Sequence, residues 1–171
     1  MSELCVVWEE SVRISHTFLS TEAIGFFAPF VRNRLKTIEV LYVVRDGCGK
    51  PCGFMGLGEP TMALPVAVDA AGGATGDLTG DAAGNAEGDY AGRQKIEMLF
   101  LHPSCMGKGI GRKLVALALK EHRACFVDVN EQNPQAVGFY LHLGFWVAGR
   151  SSLDASGKPF PILHLQMGQD R

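Results

Sequence analysis

Three glycines at spacing two, Gly107, Gly109 and Gly111, stand between a strand-like apolar run and an amphipathic helical run. No other feature constrains the fold as much. The run Gln94–Leu101 reads as a strand that His102-Pro103 ends. The run Ile110–His122 puts Ile110, Leu114, Leu117 and Ala118 on one helix face. Between them lies Met106-Gly107-Lys108-Gly109-Ile110-Gly111-Arg112-Lys113. Such a turn clears side chains from its approach and leaves backbone N–H groups unsatisfied at the helix start. With the helix dipole and Lys108, Arg112 and Lys113, it makes an anion site suited to a di- or polyphosphate. A P-loop is excluded, because no Gly-Lys here is followed by Ser or Thr. A dinucleotide fingerprint is excluded too: the spacing is G-x-G-x-G, and too little chain follows for a doubly wound sheet. A plain strand-to-helix turn with solvated bases fits the glycines as well.

The chain has 171 residues, 47% of them hydrophobic, which suits one domain over 1–171 with a real core. Residues 6–34 read as two helices broken near Ser20-Thr21, with Thr21 as a cap. Phe26, Phe27 and Phe30 read as a core face of the second helix or as lining of the acceptor pocket, and Trp8 and Trp146 as core or pocket wall. Ile38–Val44 and Cys52–Gly58 read as a hairpin around Asp46–Pro51. Cys125–Val129 is a further strand. Asn133 caps a helix that opens on Pro134 and closes at Gly144. Phe145–Gly149 and Ile162–Met167 are late strands around an Asp154–Pro159 turn. The fold class is α+β: a mostly antiparallel sheet with helices packed on it.

Charge narrows the partners. There are 16 Lys+Arg against 18 Asp+Glu, so no basic surplus suggests a nucleic-acid binder. No apolar run is long enough for a membrane span, and the start carries no signal-peptide pattern. Five cysteines, an odd number, fit a reducing cytoplasm better than a disulfide framework. Cys48-x3-Cys52 lacks a second ligand pair, and no metal site is expected. The segment Asp69–Gly92 stands apart: of its 24 residues seven are Gly, seven are Ala, and none is Lys or Arg. It reads as a flexible loop inserted between strands, since it has little apolar material to bury. Deleting it and bridging with a short turn is expected to leave the melting temperature unchanged; a large drop would show that it packs.

Two further stretches give the turn a context. Ile96-Glu97-Met98-Leu99-Phe100-Leu101 precedes it, and Val129-Asn130-Glu131-Gln132-Asn133-Pro134-Gln135-Ala136-Val137-Gly138-Phe139-Tyr140 follows. In this order they resemble the GNAT superfamily of acetyl-CoA-dependent N-acetyltransferases, strongly over residues 94–150. Trp8, Ser11-Val12, Ser15-His16 and Phe18-Leu19-Ser20 are similar to the first helices of a small bacterial subgroup. The resemblance implies a sheet splayed at the cofactor, with helices on both faces. It implies that Leu99, Phe100 and Leu101 offer backbone groups to the pantetheine arm. Met106, Gly107, Lys108, Gly109, Ile110, Gly111 and Arg112 would hold the pyrophosphate, and Asn133 would touch the cofactor arm. Tyr140 would be the general acid and Glu97 the base for direct transfer to a primary amine of a small molecule or protein, with Trp8 and His16 on the acceptor side. Three departures stand out. Met106 replaces the usual Arg or Gln, the first strand is short or missing (a homodimer would cover that edge), and the Asp69–Gly92 loop replaces a short hairpin. The alternative is a non-catalytic acyl-CoA-binding sensor.

Overall fold

The computed structural model describes residues 3–59 and 92–168; most of the Asp69–Gly92 segment lies outside them. Two helices come first, α1 (Glu3–Ser15) and α2 (Thr21–Thr37). The break falls at 16–20. Ser20, not Thr21, is the cap of α2: its hydroxyl accepts the Ala23 N–H at 3.2 Å. Helix α2 also runs further than expected. Ile38 closes it by donating to the Arg34 carbonyl, so β1 starts late and spans Val40–Arg45. Asp46 then organises the hairpin turn, its Oδ1 accepting the N–H groups of Cys48 and Lys50 at 2.9 Å each. Strand β2 is Pro51–Gly58.

Strand β3 (Gln94–Leu101) and helix α3 (Ile110–His122) have the expected bounds. Then come β4 (Ala124–Asn130), α4 (Pro134–His142), β5 (Phe145–Ser151) and β6 (Ile162–Met167). The six strands form one sheet in the order β1-β2-β3-β4-β6-β5. All pairs are antiparallel except β3 with β4. Among the described residues no strand precedes α1, and β1 is an outer strand.

Helices cover both faces. On one, Leu114, Val115 and Ala118 of α3 and Tyr140 of α4 pack on Met55, Leu57, Ile96, Val127 and Leu165. On the other, Val7, Trp8 and Val12 of α1 and Ile24 of α2 pack around Phe54, with Met98 and Phe100 beside it. Trp8 is therefore core. Phe26, Phe30 and Trp146 are not: they are 41%, 59% and 50% exposed. Only Phe27 of the expected phenylalanine face joins the second cluster. Among the described residues no helix is long and apolar enough to cross a membrane.

Asn133 starts α4 as expected, its Oδ1 accepting the Ala136 N–H at 3.0 Å, with Pro134 following. Replacing Asn133 by Ala removes that bond. The expected cost is about 1 kcal/mol, a fall in Tm of about 3 °C, readable by calorimetric scanning.

Candidate active site

The site begins with a defect in the sheet. Strands β2 and β3 pair Gly56 with Met98 but Leu57 with Ile96, which leaves Glu97 as an extra residue on β3. Such a bulge bends its strand and raises the local twist. On its other edge β3 pairs with β4 only as far as Ile96 and Val127. Beyond that point the two strands part, although β3 runs on to Leu101 and β4 to Asn130. Among the described residues the backbone groups of Glu97–Leu101 on that edge have no strand partner, and they face a cleft of about 470 Å³.

The glycine turn closes one end of this cleft. Gly107 and Gly109 hold φ of 72° and 74°, a left-handed backbone that glycine adopts without strain. Gly109 is the N-cap of α3 and offers no side-chain cap, so the first N–H groups of α3 keep their hydrogen-bonding capacity. Met106, Gly107 and Gly109 line the cleft, as do Ile110, Gly111 and Arg112. Lys108 does not; its side chain is exposed at the turn. From β3 come Glu97, Leu99, Phe100 and Leu101, and from the start of α4 comes Asn133.

Tyr140 lines the cleft although its side chain is buried. Its ring packs edge-on against Phe139 and Phe145, with centroids 5.0 and 5.4 Å away. Burial pushes the phenol well above its ordinary value, so it stays protonated at neutral pH.

Opposite, α1 brings Ser11, Ser15 and His16 to the cleft. The Ser15 hydroxyl donates to the Ser11 carbonyl at 2.8 Å. Its oxygen is then the acceptor for His16 Nδ1–H, also at 2.8 Å. That assigns the tautomer: Nε2 carries the lone pair. Burial lowers His16 to about 4, so the ring is neutral at pH 7. Trp8, expected beside His16 on the acceptor side, does not line the cleft, because its indole is spent in the core.

Glu97 reaches the cleft, yet it is not the free base that the sequence suggests. Both its oxygens accept from Arg34 of α2, at 2.6 Å each. A two-pronged guanidinium–carboxylate contact of this kind is among the stronger ionic hydrogen bonds. Asp128 and Asn130 of β4 also line the cleft and were not singled out as acceptor-side residues; the outward alternation of β4 is the signal that pointed to Asp128. His102 shapes the strand end, its Nδ1 accepting the Ser104 N–H and its Nε2 meeting Glu10 at 2.7 Å. Cys105 is buried, and burial pushes its neighbour Cys52 up to about 11, so Cys52 is not an activated nucleophile.

A parted parallel strand pair beside a glycine turn is what the resemblance to N-acetyltransferases implies, and comparison with known proteins makes the class definite. Residues 37–147 match the acetyltransferase (GNAT) domain family. The chain is 34% identical over 163 residues to the peptidyl-lysine N-acetyltransferase YjaB of Escherichia coli (strain K12), covering 95% of this chain and 87% of that protein. The YjaB of Salmonella typhimurium is 33% identical, covering 95% and 88%. The solution structure of apo-form YjaB from Escherichia coli superposes with a TM-score of 0.70 at 33% identity, covering 98% of this chain and 90% of that one. The protein belongs to the GNAT family of acetyltransferases and is an N-acetyltransferase.

Proposed function

We propose that this protein carries acetyl from acetyl-CoA directly to a primary amine, with a protein lysine side chain as the acceptor. The observation that carries this is the opening between β3 and β4, which joins the glycine turn at one end to Tyr140 and His16. The lysine acceptor is supported by the similarity to YjaB over nearly the whole chain.

Acetyl-CoA supplies the acetyl group as a thioester. The turn from Gly107 to Arg112 binds its pyrophosphate through backbone N–H groups, with Arg112 adding charge. The unpaired edge at Leu99, Phe100 and Leu101 takes the pantetheine arm in place of a strand. Asn133 spends its side-chain oxygen on capping α4, so its NH₂ group remains for the cofactor arm. Tyr140 protonates the departing sulfur, which at a thiol pKa of about 8.5 leaves more readily with a proton. Neutral His16 accepts an N–H of the amine at Nε2 and aligns the lone pair. Glu97, held by Arg34, ties α2 to the bulge.

The test is release of CoA thiol from acetyl-CoA with a lysine-containing peptide, checked by mass for one added acetyl group. Release that depends on the peptide is expected. Binding of acetyl-CoA with no release across peptides and small amines would overturn transfer and leave a sensor of acyl-CoA.

A further inference from the structure

A wall of aromatic rings runs from the cleft to the surface. His16 and Phe100 line the cleft, their ring centroids 6.4 Å apart. From His16 the rings continue outward. Phe18, in the link between α1 and α2, lies 5.5 Å from His16. Phe160, in the link between β5 and β6, lies 5.9 Å from Phe18 and 6.0 Å from Phe27 of α2. Phe26 then lies 5.2 Å from Phe27 and 5.3 Å from Phe30, one helical turn on. Phe18, Phe27 and Phe160 are half-buried, whereas Phe26 and Phe30 open to solvent. Phe27 also packs on the core around Phe54; the two outer rings do not serve that core. Contiguous exposed apolar surface of this kind marks an interaction site.

The wall is held in place before any partner arrives. Asp154 Oδ1 accepts the N–H groups of Ser156 and Lys158 at 2.8 and 2.9 Å. Just past Phe160, the Pro161 carbonyl accepts the Glu131 N–H at 2.8 Å. Beside Phe18, the Leu19 N–H donates to the His16 carbonyl at 2.9 Å. A preformed surface needs little ordering when it binds. Three observations identify its occupant. The wall starts at His16, where the acceptor amine stands in the reading above, so it faces the rest of the acceptor molecule. Its ring spacing of 5.2 to 6.0 Å is near the roughly 6.7 Å between same-face side chains of an extended chain. Lys158 Nζ stands 4.2 Å over the Phe26 ring, which disfavours a further basic side chain at the outer end.

We propose that these phenylalanines determine specificity: they select acceptor segments that carry a large apolar or aromatic side chain within about four residues of the lysine. This rests on the lysine-acceptor reading above. The lysine side chain enters the cleft beside His16, and an extended segment follows the wall outward. Phe18 and Phe160 meet the nearer flanking side chain, Phe26 and Phe30 the farther one. No bond is made or broken on the wall. It holds the acceptor equally before and during transfer, so its contribution appears in KM for the peptide and not in kcat.

The experiment compares kcat/KM, at saturating acetyl-CoA, among peptides with a single lysine in a Ser/Gly background. One flanking position at a time, out to four on either side, is changed to Phe. At least one position is expected to raise kcat/KM by about 10-fold, through KM. That ratio falls toward one in Phe160→Ser for a near position and in the double variant Phe26→Ser/Phe30→Ser for a far one. The two outer rings are exposed, so the double variant stands if Phe160→Ser misfolds. Equal kcat/KM for all peptides, or a Phe preference that survives in every folded variant, would overturn the wall while leaving acetyl transfer standing. A wild-type dimer in sedimentation that the double variant dissolves would also overturn it, by giving the outer rings to a second copy. A wild-type protein that acetylates no peptide would overturn the lysine reading and the wall with it.

Discussion

Tyr140→Phe is expected to lower kcat by about 100-fold, or about 2.7 kcal/mol of barrier, and to leave the Kd for acetyl-CoA unchanged. The substitution is close to a single-atom change. The ring keeps its edge-on contacts with Phe139 and Phe145, so packing is retained. The substitution removes no packing contact, so Tm should hold. What disappears is one proton donor facing the cleft. A drop in kcat and kcat/KM together, with unchanged binding, marks an interaction made in the transition state. The measurement is CoA release under saturating substrates, beside calorimetric binding of acetyl-CoA. An unchanged kcat would remove Tyr140 from the chemistry.

Gly109→Asp is expected to weaken acetyl-CoA binding by at least about 100-fold, or about 2.8 kcal/mol, with a modest fall in Tm because φ of 74° strains a side chain there. Gly109 has φ of 74° and leaves α3 without a side-chain cap. Aspartate tolerates that backbone better than most residues and is a favoured N-cap. It places a carboxylate beside the N–H groups that a pyrophosphate would use, and it repels the phosphates. Helix α3 stays folded while its anion site is filled from within. Gly109→Asn places the same shape there without the charge and separates competition from repulsion. Unchanged affinity in Gly109→Asp would mean that the pyrophosphate does not sit on this turn.

Much of the cofactor side is legible in the chain because its signals are local. Glycine spacing, a proline after Asn133, and the apolar face from Ile110 to Ala118 each act within a few residues. Strand β3 and helix α3 accordingly have the bounds that their periodicity suggests. The acceptor side is built from long-range pairs and is not legible. Arg34 and Glu97 are 63 residues apart, and Asp128 and His164 are 36 apart. Alternation says that Asp128 faces outward, but only register says what it faces. The bulge at Glu97, which opens the cleft, is one extra residue in an apolar run and leaves no mark on composition. Trp8, read both as core and as an acceptor-side residue, is held in the core by Val7, Val12 and Phe54.

The most direct test of the central claim is calorimetric titration of the purified protein with acetyl-CoA, with plain CoA alongside. A cleft lined by the unpaired edge of β3 and closed by the glycine turn predicts saturable binding of both. The affinity expected is roughly micromolar, about −8 kcal/mol. The absence of binding to either would contradict the assignment of this cleft to the cofactor, and with it the proposed acetyl transfer.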